Sequence, residues 1–176
     1  MMAYSWGGAI VGGLVGTFAM TLVMLLAKRM GMVRMDIARM LGTMFMEDSS
    51  AARAAGLMMH FVNGAIFGLI YMAILYAGRF TPSWWVGLLF GFVHWLFFGV
   101  FMGMLPAVHP RVASGTAAVS GAGAGPVSRR AGRAEVLPAP GPFAVQYGLM
   151  DALGGALMHL IFGIVTIEII GQFWHP

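Results

Sequence analysis

The chain has 176 residues, 60% hydrophobic and 9% charged, with a net charge of +4 and no cysteine. A charged share so far below the usual ~25% cannot cover a water-soluble surface, so lipid is the expected solvent. The missing cysteines remove disulfides, thiolate metal sites and thiol catalysis. The basic residues flank apolar runs instead of interleaving with aromatics, which argues against nucleic acid as a partner.

A membrane span requires ~20 mostly apolar residues to cross ~30 Å of hydrocarbon. The first candidate is 7–27, which holds no charge. It lacks a basic leading region and a small-residue cleavage site, so it reads as a span and not as a secretory signal. An amphipathic segment follows. From Val33 to Glu47, at ~100° per residue, Val33, Ile37, Met40, Leu41, Met44 and Phe45 share one arc, and Asp36, Arg39, Thr43 and Glu47 share the opposite one. A helix is expected over 36–46 with Asp36 as its N-cap. It could lie on the cytoplasmic membrane surface or pack under the bundle as a plug. Ser49 or Ser50 can cap the second span, 54–78.

The third span, 84–105, is approached through Thr81-Pro82-Ser83 and stopped at Pro106. A loop over 111–139 comes next. From Ser114 to Arg133 it is mostly Ala, Gly, Ser, Val and Arg, which cannot bury enough apolar surface to offset chain entropy, so disorder is expected. Pro138-Ala139-Pro140-Gly141-Pro142 ends it with a stiff, non-helical lead into the fourth span, 148–170. The expected class is an all-α membrane protein, a four-transmembrane-helix bundle with one cytoplasmic amphipathic helix and lipid as its main partner.

Lys28, Arg29, Arg34, Arg39 and Arg53 lie between spans one and two, Arg111, Arg129, Arg130 and Arg133 between spans three and four, and only Arg79 on the other face. The positive-inside rule makes the basic face cytoplasmic and points both termini outward, in a multi-pass protein of the cytoplasmic membrane. Trp6, Trp84, Trp85 and Trp174 then form an outer aromatic belt.

Small residues recur at helical spacing: Gly8, Gly12 and Gly16; Gly64 and Gly68; Gly87 and Gly91; Gly99 and Gly103. They allow close backbone approach in lipid, either for a tight bundle or to admit a flat cofactor. The 17 methionines are scattered through every segment, which favours adaptable packing over copper ligation.

Histidine carries the sharper signal, because ionisable groups inside a membrane are costly and mark candidate sites. His60, His94 and His159 fall within spans. His94 is eleven residues from Leu105 and His159 eleven from Gly148. At ~1.5 Å per residue both lie ~16 Å from the basic face, near the midplane, where two imidazoles on antiparallel helices can meet. His60 sits closer to that face, with Asn63 a turn above it and Asp151 at a similar level. Gly56-x3-His60-x3-Gly64 matches Gly155-x3-His159-x3-Gly163, as a duplicated two-helix hairpin would.

Three readings follow. His94 and His159, with His60 nearby, could ligate haem b or a transition-metal ion. The histidines with Asn63, Asp151 and His109 could form a polar path for protons or a small solute. Or the imidazoles could tie helices together as interhelical hydrogen-bonding groups, in a homo-oligomer or as an accessory subunit of a larger membrane complex. Enzyme signals are thin: no phosphate loop, nucleophile elbow or metalloprotease helix is present, and Asp151 and Glu168 are ~25 Å apart along one helix.

Met35-Asp36-Ile37-Ala38-Arg39-Met40-Leu41-Gly42-Thr43-Met44, Gly91-Phe92-Val93-His94-Trp95, Met102-Gly103-Met104-Leu105-Pro106, His109-Pro110 and Pro140-Gly141-Pro142-Phe143 together resemble a group of small bacterial and archaeal four-span proteins known only as a domain of unknown function. The resemblance extends over nearly the whole chain except the loop, which is longer than usual. It implies four spans and no particular activity. Asp36, His94 and His109 fall within the segments that carry it.

Overall fold

The computed structural model describes residues 5–112 and 137–173. These form α1 (Trp6–Arg29), α2 (Ile37–Thr43), α3 (Ser50–Gly78), α4 (Trp84–Val108), a 3₁₀ turn (Pro142–Ala144) and α5 (Leu149–Gln172). Helices α1, α3, α4 and α5 are each long and apolar enough to cross a membrane. Trp174, His175 and the centre of the expected loop, with Arg129, Arg130 and Arg133, lie outside the described residues.

Caps set the boundaries. The Asp36 carboxylate accepts from Arg39 N–H at the start of α2, and Ser49 Oγ accepts from Ala52 N–H, starting α3 four residues before the expected span. At its other end α4 continues through Pro106 to Val108, beyond the expected stop. The proline falls in the last turn, where it removes one backbone bond, and His109 N–H still reaches Leu105 O at 2.8 Å.

The bundle order is α3–α1–α5–α4, with α1 packed on both α3 and α5, and α4 packed on α5. Glycine makes each of these three contacts. Gly13 and Gly64 meet backbone to backbone, so either would strike its neighbour if it carried a side chain. A Cβ on Gly12 would sit 2.8 Å from Thr166 O, and one on Gly87 2.7 Å from Gly163 O. With no water to expel, helices in lipid associate by dispersion and polar contacts, and small side chains permit the closest approach.

Helices α3 and α4 follow each other in the chain yet lack such an approach. Rings fill the space between them. Phe67 and Phe98 stand 5.6 Å apart between centroids, and Tyr71 and Phe90 5.1 Å.

Helix α2 is packed, not laid on a surface. Its Gly42 abuts the Ala52 backbone, and Ala38 O abuts Gly56. Of the two placements the sequence left open, the plug is the one adopted. The helix is also shorter than 36–46. Thr43 Oγ1 donates back to Arg39 O at 2.7 Å, the chain turns at 44–46, and Phe45 is 70% exposed. Salt bridges Lys28–Asp36 (2.6 Å) and Arg39–Asp48 (2.7 Å) tie the segment to its surroundings.

The ends of the expected disordered loop are packed. Val112 and Leu137 form a bridge, both are buried, and Ala139 is buried beside them. Tyr147 Oη donates to Pro138 O at 2.9 Å, and burial pushes that phenol up to about 12. The lead into α5 bends at Gly141 (φ 67°) and Phe143 (φ 54°), whose ring lies against Gly99 and 4.9 Å from the Trp95 ring. A left-handed phenylalanine is uncommon. Here Gly99 supplies the space that its ring needs.

Candidate functional site: a histidine-lined cavity inside the bundle

A cavity of about 110 Å³ lies among all five helices, on the basic side of the aliphatic core formed by Tyr71, Met72, Leu75, Phe162, Ile167 and Ile170. His60, Asn63, His94 and His159 all line it, together with Thr17, Thr21 and five methionines. Among the described residues, no Asp, Glu, Lys or Arg does.

The imidazoles of His94 and His159, which their equal depths left free to meet, do meet. Their ring centroids are 4.9 Å apart and nearly perpendicular, at 75°. His159 Nδ1 lies 2.7 Å from Gly155 O. A carbonyl only accepts, so Nδ1 carries the proton, and Nε2 of the neutral ring is a bare acceptor. His94 Nδ1 lies 2.9 Å from Tyr71 Oη. The buried tyrosine hydroxyl has no other acceptor among the described residues, so it donates to Nδ1 and leaves the His94 proton on Nε2. Phe67 stacks on His94 at 4.0 Å. The cavity thus presents an acceptor on α5 beside a donor on α4.

Two further polar side-chain atoms, on residues that line it, are buried and have no hydrogen-bond partner among the described residues: His60 Nε2 and Thr21 Oγ1. The threonine is 6% exposed. Its neighbour one turn earlier, Thr17, donates to Gly13 O at 2.7 Å, which is the usual way for a helical threonine to satisfy its hydroxyl. Thr21 does not.

The remaining expected site residues sit elsewhere. Asp151 is 5% exposed, and its Oδ1 accepts from Arg34 N–H and Met35 N–H, each at 2.8 Å. It caps the turn into α2. His109 Nε2 donates to Met40 O at 2.8 Å, while its Nδ1 accepts from Arg111 N–H at 3.2 Å. Both ring nitrogens are used in holding α2. The polar path expected through Asn63, Asp151 and His109 is therefore split: Asn63 lines the cavity, and the other two secure its floor.

Haem between His94 and His159 does not fit. Two imidazoles on opposite sides of one iron need ring centroids about 6 Å apart with the macrocycle between them. Here the rings touch directly, with Phe98 and Phe162 packed against His94. Among the described residues, no three His, Asp or Glu side chains converge in metal-ligating proximity. Sequence reasoning missed Thr21 and Tyr71. Thr21 follows Thr17 by one turn inside an uncharged span, which was the available signal. Tyr71 stands eleven residues along α3 from His60, and nothing at that spacing marks it.

The fold and cavity define a multi-pass membrane bundle with an internal, mostly apolar cavity that a few polar side chains line. Residues 4–122, more than half of the chain, match the family of unknown function DUF6789, and the chain belongs to that family. The matched stretch includes His60, His94 and His109, while His159 lies beyond it. No curated protein and no solved structure matches the chain significantly.

Proposed function

We propose that the protein binds a small neutral molecule inside the membrane, in the cavity bounded by His60, His94 and His159. The observation that carries this reading is the mismatch in polar satisfaction. Buried polar groups are nearly always paired, yet Thr21 Oγ1 and His60 Nε2, on residues that line this space, have no partner among the described residues, while both ring nitrogens of His109 are used. Apolar walls with a few placed polar groups are the usual make-up of a ligand pocket. The absence of charged side chains from the lining favours a neutral occupant, because an ion would be stripped of water without a counter-charge. By the positive-inside rule the basic end faces the cytoplasm.

Gly155→Leu tests the proposal. Gly155 lines the cavity, and a Cβ there meets nothing closer than Trp95 Nε1 at 3.8 Å, so a longer side chain can be placed at the cavity edge without striking backbone. Titration of detergent-purified protein with phenol, followed by calorimetry, is expected to show saturable one-site binding that Gly155→Leu abolishes. Binding unchanged in that variant, or none in the parent, overturns the proposal.

A further inference from the structure

We infer that the occupant is a membrane-soluble phenol or quinol, and that its head reaches the cavity sideways from the bilayer through the seam between α3 and α4. This rests on the cavity-binding reading above and adds the ligand's class and route.

The route follows by elimination. Three of the four lateral walls are closed by glycine-mediated backbone contact: α3 on α1 at Gly13 and Gly64, α1 on α5 at Gly12 and Thr166, and α5 on α4 at Gly91, where a Cβ would meet Leu160 Cα at 2.9 Å. The floor is formed by Met35, Ile37 and Leu41 on the segment that Asp151 and His109 hold in place. The roof is the aliphatic core around Phe162 and Met72, both almost fully buried. The α3–α4 wall carries no such backbone contact among the described residues and is closed by rings, chiefly Phe67 and Phe98, both half-buried. Rings can change rotamer, whereas packed backbones cannot part without breaking the bundle. The outer faces of both helices are apolar, with Val62, Ile66, Phe97 and Val100 exposed there. A ligand using this route arrives from hydrocarbon.

The head group follows from the donors and acceptors. His159 Nε2 accepts and His94 Nε2–H donates, a pair that complements one hydroxyl, which does both. The walls beside them are aromatic, Phe67, Phe98 and Phe162, which favours a flat ring over a flexible chain. About 110 Å³ accommodates a single ring and not a long tail, so the tail stays in the seam and in lipid.

The experiment uses the full chain in nanodiscs and three probes: 4-decylphenol, 1-decanol and phenol. The parent is expected to bind 4-decylphenol saturably and at least tenfold more tightly than 1-decanol at equal mole fraction in lipid. Gly155→Leu should lose this binding. The chain lacks cysteine, so a single Phe98→Cys can be labelled with a bulky maleimide at the seam, and Phe18→Cys, 60% exposed on α1, serves as the control. Labelling at 98 should block 4-decylphenol, and labelling at 18 should not. Phe67→Cys repeats the seam test should Phe98→Cys fold poorly. Equal binding of 1-decanol overturns the ring class. Phenol binding that label at 98 does not affect, with no gain from the decyl tail, overturns the seam route and leaves the cavity reading standing. No binding of any probe sinks both.

Discussion

Two seams of one bundle are built on opposite rules. Between α1 and α5, Gly8, Gly12 and Gly16 face Phe173, Thr166 and Phe162, and the helices close to backbone contact. Between α3 and α4, Phe67 and Tyr71 face Phe90, His94 and Phe98, and rings hold the helices apart. The repeated Gly-x3-His-x3-Gly motif makes the contrast more pointed. Gly64 packs on Gly13 of α1, and Gly163 packs on Gly87 and Gly91 of α4, so hairpins α1–α3 and α4–α5 are joined alike. A two-fold relation between them would exchange α1 with α4 and α3 with α5, which maps the closed seam onto the open one. What breaks the equivalence is side-chain volume. The cavity lies among all five helices, and the α3–α4 seam that borders it is closed by rings.

The largest expected effect comes from forcing the closed seam open. A Cβ at Gly16 would sit 3.0 Å from Phe162 O and strike the Thr166 hydroxyl. Gly16→Leu should destabilise the bundle by more than about 3 kcal/mol, the upper range for overpacking, because backbone must move. Phe98→Leu on the open seam should cost only about 1 kcal/mol. Unfolding of both variants in mixed micelles by added dodecyl sulfate compares them, and equal losses would erase the distinction between the seams.

Asp151 tests the cavity floor. Asp151→Ala orphans the Arg34 and Met35 N–H groups, and at about 1–3 kcal/mol per buried unsatisfied group the expected loss is about 2–6 kcal/mol. Asp151→Asn keeps a carbonyl acceptor and should recover at least half. Amide exchange at Arg34 and Met35 should accelerate in the alanine variant alone. Slow exchange there would show that the carboxylate is not what holds the turn.

These effects mark where sequence reasoning reached and where it stopped. Span count and the Asp36 cap follow from hydropathy and a capping residue, both local quantities, whereas helical rise put His94 and His159 at equal depth without deciding that they touch. The glycine contacts were legible as a tendency but not as a pairing, since spacing does not say which neighbour a glycine meets. Helix α2 was undecided between surface and plug, because what decides it is Ala52 and Gly56 on another helix. Asp151 reads as an intramembrane acid until the fold brings residues 34 and 35 across 117 and 116 positions of chain to its carboxylate. The unpaired Thr21 hydroxyl is invisible by the same logic, since its failure to bond back depends on the cavity beside it.

A smaller effect is expected from the tyrosine that spans the open seam. Tyr71→Phe removes one hydrogen bond between α3 and α4, worth about 0.5–1.5 kcal/mol in a membrane interior. The diagnostic readout is the ring itself. With Tyr71 present, ¹⁵N shifts should place the His94 proton on Nε2. Without it, the two nitrogens should become less distinct. If the proton sits on Nδ1 in the parent, the donor offered to the cavity is lost and the complementarity to a hydroxyl goes with it.

The smallest expected effect is a pH dependence confined to the floor. Burial by itself would raise the Asp36 carboxyl, but hydrogen bonds from Lys28 and the Arg39 N–H and the charges of Lys28 and Arg53 outweigh it and hold the group below its ordinary 3.8. A depressed folded value means that the ionised form is favoured by folding. Its contribution is complete above 3.8 and disappears as pH falls below that through the lower folded value. The pair is partly exposed, so about 1 kcal/mol or less is at stake. Asp36→Asn can keep the N-cap while removing the charge, and should flatten the acid limb of stability against pH. In the same titration, labels on the α1–α5 seam should report no change until global unfolding, because Gly12, Gly16, Phe162 and Thr166 carry nothing that titrates. An acid-induced opening that begins at the closed seam would mean that the two seams are coupled through α2, and that the floor, not side-chain volume, sets which one stays shut.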